Sequence, residues 1–469
     1  MSRILLVSSN RSQRPYPVPP LGVCLLAERL APRHEVVVFD AMFRDPAELR
    51  ETIGSFGPDV VGLGIRNIDD MALHDPHSFI DEVRDDFVRL IRETTGAPLV
   101  VGGAGFSILP GPILRSLRAD HGVAGEGEAT FERLVESITR GGDGRDVPGV
   151  IHPGGEAPLP GAGHLDSEDL CPSRIDRWLD FGPYRARGSY PVQTKRGCAH
   201  RCVYCTYPTI EGRAWRLRRP ASVAREIAEA ADRLGPVTFE FVDSTFNDPP
   251  GHAEAVCREL IDRGVAVRLR TMGINPRGIS AELLDLMKRA GFAQMDCTPD
   301  SAAPTVIERL DKGFTRDDLE RAATAIGRSG IPCMWFFLIG GPGETEDTFA
   351  ETLDFIDRFV SPDDMVYMAA GLRIYPDTPL HPIARLAGMV EPDDDLLQPR
   401  FYVSPALDAG RCIELVEAAC AVRANCVPAW ETAPSPEMVR RALAIRDRLG
   451  PDVPMFRALI RVRREMLGL

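Results

Sequence analysis

Gly197-Cys198-Ala199-His200-Arg201-Cys202-Val203-Tyr204-Cys205 sets three cysteines at the spacing C-x3-C-x2-C, directly after an apolar run that opens at Val192. Three thiolates on one short polar loop can ligate three irons of an iron–sulfur cubane. No fourth cysteine lies nearby, so one iron is left for a ligand from outside the protein. A zinc site with His200 as fourth ligand is the alternative, at an atypical spacing. A purely structural or electron-transfer cluster would normally take a fourth thiolate. The loop therefore reads as a site of chemistry at the end of a β-strand, and the chain on either side is read from there.

Downstream, apolar strand patterns alternate with helical ones. Val192–Lys195, Val237–Asp243, Val265–Met272, Phe292–Thr298, Pro332–Ile339 and Met365–Tyr375 read as six strands. The helices between them are punctuated. Pro220 and Ser222 open one that places Val223, Ile227 and Leu234 on one face and stops at Gly235-Pro236. Thr315 with Asp318 makes a capping-box pattern before Leu319, Ala322 and Ile326, and Gly330 ends that helix. Six β/α units over residues 189–390 predict a partial (β/α)6 barrel with its chemistry at the carboxyl ends of the strands. Residues 391–469 read as a mainly helical C-terminal region.

Upstream, residues 141–188 are rich in Gly, Pro and Asp and read as a connector. Before it, Arg3–Ser8, Glu35–Phe39, Asp59–Ile65, Pro98–Gly102 and a weaker Gly122–Ala124 alternate with the helical stretches Leu21–Ala31, Pro46–Phe56 and Phe79–Thr94. Residues 1–140 are thus an α/β, doubly wound (Rossmann-like) domain, whose ligand is expected beyond the carboxyl ends of its strands. Pro15–Pro20, Arg66–Asp70 and Gly102–Gly105 fall at those ends.

A chain of 469 residues exceeds one ordinary core, which agrees with this division. A net charge of −13 argues against nucleic acid as the main partner. The longest apolar stretch, Ile331–Ile339, is too short to cross a bilayer, and no signal-peptide pattern is present, so a cytoplasmic protein without a membrane partner is expected. Eleven scattered cysteines do not make a disulfide framework.

From Val192 to Leu380 the sequence resembles the radical S-adenosylmethionine (SAM) superfamily. The resemblance implies a [4Fe–4S] cluster on Cys198, Cys202 and Cys205 whose open iron chelates SAM. Tyr204, before the last cysteine, would pack near that cofactor. Asp243-Ser244 stands where the SAM amino group is held, and Asp300-Ser301 stands where many members have Glu-Ser facing the ribose. Gly340-Gly341-Pro342, followed by Gly343-Glu344-Thr345, is the third SAM landmark, and Tyr375–Leu380 follows the last strand.

Pro19-Pro20-Leu21-Gly22, Val101-Gly102-Gly103 and Gly125-Glu126-Gly127-Glu128-Ala129-Thr130 resemble the cobalamin-binding half of the B12-dependent radical SAM subfamily. No Asp-x-His-x-x-Gly motif occurs, so no histidine is expected to ligate cobalt. Arg66-Asn67 would lie at the lower face of the corrin, where Arg66 blocks or polarises that face or else pairs with Asp69 or Asp70. Around Gln193–Gly197, Thr206-Tyr207-Pro208 and Glu240 the chain resembles the tryptophan C-methylating branch. In that branch a strand glutamate occupies the open iron. Glu240 is therefore a possible metal or SAM contact, with a hydrogen bond to Arg270 as the alternative. Arg213 and Arg216 belong to a basic run that is either a solvated face or a contact to substrate or cofactor.

The resemblance implies a C-methyltransferase of the kind used in natural-product biosynthesis. It would move a methyl from SAM via methylcobalamin to a carbon of a small molecule, for which the local resemblance suggests an aromatic amino acid such as tryptophan, and draw on an external one-electron donor such as flavodoxin or ferredoxin. Two alternatives remain: a cobalamin-dependent rearrangement or cyclisation without methyl transfer, and a non-catalytic cobalamin sensor or carrier.

Overall fold

Runs of aliphatic and β-branched residues between Gly, Pro and Asp form the first sheet. In the computed structural model, which describes residues 1–155, 163–431, 434–450 and 453–468, these are β1 (Arg3–Ser8), β2 (Glu35–Asp40), β3 (Val60–Gly64), β4 (Leu99–Gly102) and β5 (His121–Val123). All pair in parallel, in the order β2-β1-β3-β4-β5. Leu5, Val7, Val61 and Leu63 face the helices that carry Leu49, Ile53 and Leu114, whereas Ile4, Leu6 and Val60 face Ala27, Leu30 and Leu134. Both faces are buried, which is why these strands read as continuous apolar runs. The strand order reverses between β1 and β3, and a sheet of this order opens a ligand crevice beyond the strand ends there.

The stretch expected as a connector also contributes to this sheet, because β6 (Val150–Ile151) pairs antiparallel with β5. Residues 156–162 of that stretch lie outside the described residues.

The second sheet begins with β7 (Tyr190–Val192). The run expected to continue to Lys195 breaks there, and β8 (Lys195–Arg196) instead pairs antiparallel with β9 (Arg216–Leu217). The barrel continues through β10 (Thr238–Phe241), β11 (Arg268–Ile274), β12 (Phe292–Asp300), β13 (Cys333–Ile339) and β14 (Met365–Ala370). The expected strand Met365–Tyr375 bends at Gly371, whose φ is +72°, into β15 (Leu372–Arg373), which pairs with β16 (Phe401–Tyr402). The mainly helical tail adds β17 (Cys426–Pro428) beside β14, so the parallel order is β7-β10-β11-β12-β13-β14-β17. In β13, Cys333, Trp335, Phe337 and Ile339 are buried under the outer helices, while Met334, Phe336 and Leu338 face the lumen. The helices cap as their sequences predict, with Pro220 at the start of Pro220–Leu234 and the Thr315–Asp318 capping box on Arg316–Ser329.

Two features close the barrel. The last helix, Met455–Leu467, packs Phe456 and Ile460 onto Met365, Val427, Met334 and Tyr367, at the amino end of the strands. At the opposite end, Arg373 forms a buried ion pair of 2.7 Å with Asp69 of the first domain.

Candidate active site

The cysteine loop is tied at its base by the β8–β9 pair. Gly197 has φ +89°, and a Cβ there would sit 2.0 Å from the Ala214 carbonyl oxygen, so only glycine fits this turn. Cys198 N–H donates to Gly212 O at 3.0 Å, and Val203, between the cysteines, donates to Leu310 O at 3.1 Å. Cys198 is buried and Cys202 and Cys205 are half-buried. Burial raises all three thiols, Cys205 to about 12, so thiolates form there as metal displaces protons. Among the described residues no three His, Cys, Asp or Glu side chains converge as for a single ion. Three thiols that share one loop without meeting at a point suit separate irons of a cubane rather than a zinc site. The zinc alternative also loses its fourth ligand, since His200 Nε2 is paired with Asp248 at 2.9 Å.

The residues expected around SAM divide into two groups. Tyr204 O–H donates to Asp300, and Lys312 Nζ lies 2.6 Å from Asp300 Oδ2 and 3.1 Å from the Tyr204 oxygen. Asp300 ends β12 in the left-handed region, φ +64°, a strained setting for a side chain that the Lys312 contact holds in place. Burial pushes the Tyr204 phenol up, with the Asp300 charge adding to it. Gly340 has φ +97° and lies buried with Gly341 and Pro342, where the backbone turns from β13 into the next helix.

Other side chains are turned elsewhere. Asp243 accepts from Thr194 N–H at 2.7 Å, from the Thr194 hydroxyl at 2.6 Å and from Lys195 Nζ at 3.1 Å, all shut off from solvent. Its carboxylate balances the buried Lys195 ammonium instead of facing a ligand. Ser244 donates to the Gly197 carbonyl at 3.0 Å and so braces the cysteine loop from below. Ser301 is fully buried, with its hydroxyl on Thr352 and the Ala303 N–H.

Glu240 takes the Arg270 alternative. Its carboxylate accepts from Tyr16 O–H at 2.7 Å and Ser189 O–H at 2.5 Å and pairs with Arg270 Nε at 2.8 Å. Tyr16 comes from the loop after β1, so the first domain supplies part of the barrel wall. Nothing in the spacing of residues 10–20 signalled this.

On the first domain, Pro20, Leu21 and Gly22 start the helix after β1, and the space beside Gly22 is open. Gly103 has φ +101°, and a Cβ there would meet Ile65 O at 2.5 Å; Gly102 precedes it at the end of β4. Arg66 and Asn67 are exposed at the end of β3. The expected alternative, an ion pair from Arg66 to Asp69 or Asp70, does not form. Asp69 is taken by Arg373, and Asp70 accepts from the Ala72 and His77 N–H groups.

Gly125 and Gly127 flank a glutamate with a different task from the one expected. Glu126 accepts from Leu165 N–H at 2.9 Å, meets Arg196 at 3.1 Å and is gripped by both terminal nitrogens of Arg216. Glu128 meets Arg196 at 2.5 Å. Arg216 also donates to Leu165 O and Glu211 O, so its guanidinium is spent within the protein. These two arginines flank the cysteine loop, which is thereby clamped to the first domain. Arg213 is exposed. Glu211, pushed up by burial to about 7, accepts from Gly197 N–H. Glu211, Lys312 and Tyr16 carry the local geometry without standing in any motif, and Arg196 stands in one that gave it no role.

The sequence pattern of the B12 binding domain matches residues 9–135, and that of the radical SAM superfamily matches residues 192–356. The chain thus carries a B12-binding domain followed by a radical SAM domain. Among its relatives, the tryptophan 2-C-methyltransferase of Streptomyces laurentii is 25% identical over 439 residues, covering 78% of this chain and 72% of that protein. An uncharacterized methyltransferase of Pyrococcus horikoshii is 26% identical over 354 residues, covering 72% and 73%. The radical SAM methyltransferase TsrM of Kitasatospora setae, solved with cobalamin and a [4Fe–4S] cluster, is 26% identical. It superposes with a TM-score of 0.83 over 99% of this chain and all of that one. TsrM has also been solved with tryptophan and a SAM analogue. A radical SAM domain of this kind holds a [4Fe–4S] cluster and SAM, and the B12 domain holds cobalamin.

Proposed function

We propose that this B12-binding radical SAM protein is a C-methyltransferase acting on a small aromatic substrate, with tryptophan as the first compound to try. The observation that carries the reading is the full-length likeness to TsrM together with the buried clamp that joins the two cofactor-bearing strand ends. When bound, SAM and cobalamin supply the methyl group and its carrier while the cluster supplies electrons.

The chain's own residues supply placement. Cys198, Cys202 and Cys205 hold the iron, while Tyr204, Asp300 and the Gly340–Pro342 turn line the SAM side. Arg66, exposed at the end of β3, would lie at the lower face of a bound corrin, and a guanidinium has no lone pair to offer cobalt. Gly22 leaves open space for the cobalamin beside the helix after β1, while Gly102, Gly103, Gly125 and Gly127 let the strand-end turns around it pack closely. Glu240, with Arg270 and Ser189, fixes Tyr16 against the lumen, where the substrate is enclosed.

A flavodoxin or ferredoxin serves as electron donor, and the protein works in the cytoplasm on a biosynthetic intermediate. Among the described residues no helix is long and apolar enough to cross a membrane. The test is anaerobic reconstitution with iron, sulfide and hydroxocobalamin, then incubation with tryptophan and SAM labelled in its methyl group. Recovery of the labelled methyl on carbon in the product supports the reading. A product that has lost hydrogen without gaining methyl points to cyclisation, and bound cobalamin with no SAM turnover points to a sensor or carrier.

A further inference from the structure

The inner face of β12 carries a carboxylate that nothing described so far uses. Phe292, Met295 and Cys297 are buried under the outer helices, whereas Gln294, Asp296 and Thr298 point into the lumen and remain partly open to solvent. Arg270 of β11, Phe336 of β13 and Tyr367 of β14 are likewise partly open, so the middle of the barrel is a solvent-reachable chamber. Tyr16 walls it from the first domain, and the helix carrying Phe456 and Ile460 closes the strands' amino end.

Asp296 is poorly balanced in this chamber. Gln294 Nε2 donates to Oδ1 at 3.1 Å, and Oδ2 has no hydrogen-bond partner among the described residues. The nearest cation, Arg270, is already committed to Glu240 at 2.8 Å, to the Ser189 hydroxyl at 3.1 Å and to the face of Tyr16 at 4.0 Å. Two carboxylates therefore share one guanidinium. Burial, with the Glu240 charge adding to it against Arg270, pushes Asp296 up to about 7. On the adjoining strands Phe336 and Tyr367 stack on each other at 5.4 Å and line the same chamber with aromatic rings. A lone carboxylate beside aromatic faces is the setting that takes an organic cation. An anionic group would find its guanidinium already occupied.

We infer that Asp296 anchors a primary ammonium group of the substrate, so that the enzyme selects amine-bearing aromatic compounds and does not require their carboxylate. This rests on the methyltransferase reading and adds to it the recognised group and the residue that recognises it.

The experiment measures binding to the reconstituted holoenzyme of tryptamine, L-tryptophan and indole-3-propionate, for wild type and Asp296→Asn. Tryptamine and tryptophan are expected to bind, and indole-3-propionate to bind at least about tenfold more weakly. Asp296→Asn is expected to weaken the two amines at least about tenfold and to leave indole-3-propionate unchanged, which doubles as the control for folding. Asp296→Glu recovers part of the loss. Equal binding of the amine-free compound, amine affinities unmoved by Asp296→Asn, or no binding of tryptamine by wild type overturns the inference. Methyl transfer to an amine-free indole would overturn it while leaving the proposed function standing. Amine binding lost in Asp296→Asn, with no methyl transfer to any compound, would uphold it and sink that function.

Discussion

Replacing Glu126 by Gln removes the charge at the centre of the interdomain clamp while keeping the side chain's shape. Glu126 is 6% exposed and receives the Leu165 N–H, Arg196 and both terminal nitrogens of Arg216. Removing one partner of a buried ion pair costs about 3–5 kcal/mol because the other charge is left uncompensated. Glu128 still neutralises Arg196, and Arg216 keeps the Leu165 and Glu211 carbonyls, so the low end, about 3 kcal/mol, is expected. The assay is a double-mutant cycle with Arg216→Met, read by urea unfolding and by hydrogen exchange at Leu165 and Cys198. The double variant should cost about 2 kcal/mol less than the two single variants added. Burial pushes the Glu126 carboxyl up, but Arg216 and Arg196 more than offset this and hold it below its ordinary value. The stabilisation is therefore present above the unfolded pKa and fades as pH falls through the folded one. Wild type and variant should converge below about pH 4. A loss under about 0.5 kcal/mol, or strict additivity, would refute the reasoning.

Three further outcomes follow from local geometry. Gly197→Ala forces a Cβ onto the Ala214 carbonyl, so iron bound per chain should fall by more than half with far-UV dichroism little changed; full loading would contradict the contact. Asp296 and Glu344 are both raised by burial to about 7, with the Glu240 charge also raising Asp296 and Arg270 lowering it. Tyr16 and Tyr367 also face Asp296, and the Cys297 and Cys333 thiols lie behind it on the outer face, but burial holds all four far above neutrality. The folded state then holds more protons than the unfolded one between pH 4 and 7, so cofactor-free protein should lose thermal stability as pH rises from about 4 to about 7 and level off above that. Asp296→Asn should flatten that slope, and an unchanged slope would exclude Asp296 as its source. Lys312→Met strands the Asp300 carboxylate and should cost about 3 kcal/mol, most of it recovered when Asp300→Asn is added; no recovery would separate the two residues.

Strands β1, β3 and β4 were legible almost to the residue because each is a continuous apolar run buried on both faces. The cysteine loop was legible because metal ligation constrains spacing within one segment. Strands of two or three residues such as β6, β16 and β17 escaped, since so short a stretch has no periodicity and pairs only because a neighbouring edge is free. Side-chain partners were the least legible part. Asp243, Ser301 and Glu126 sit in recognisable motifs, yet Lys195, Thr352 and Arg216 consume their polar atoms. Those contacts join residues 48, 51 and 90 positions apart in the chain. Tyr16 lies 224 positions from Glu240, and no local pattern encodes such a meeting.

The strand β17 bears on how the molecule is made. All three cysteines and every SAM landmark leave the ribosome before residues 426–428 do, so the nascent barrel waits with the open edge of β14 presenting Val366, Tyr367 and Met368 to any other chain. An unpaired edge of that kind recruits foreign strands. Once in place, β17 ends in Pro428, which lacks the N–H that would let the sheet grow further. Truncation before Cys426 therefore yields a protein that keeps its iron ligands but self-associates, and co-synthesis of the missing tail as a separate peptide is the natural remedy.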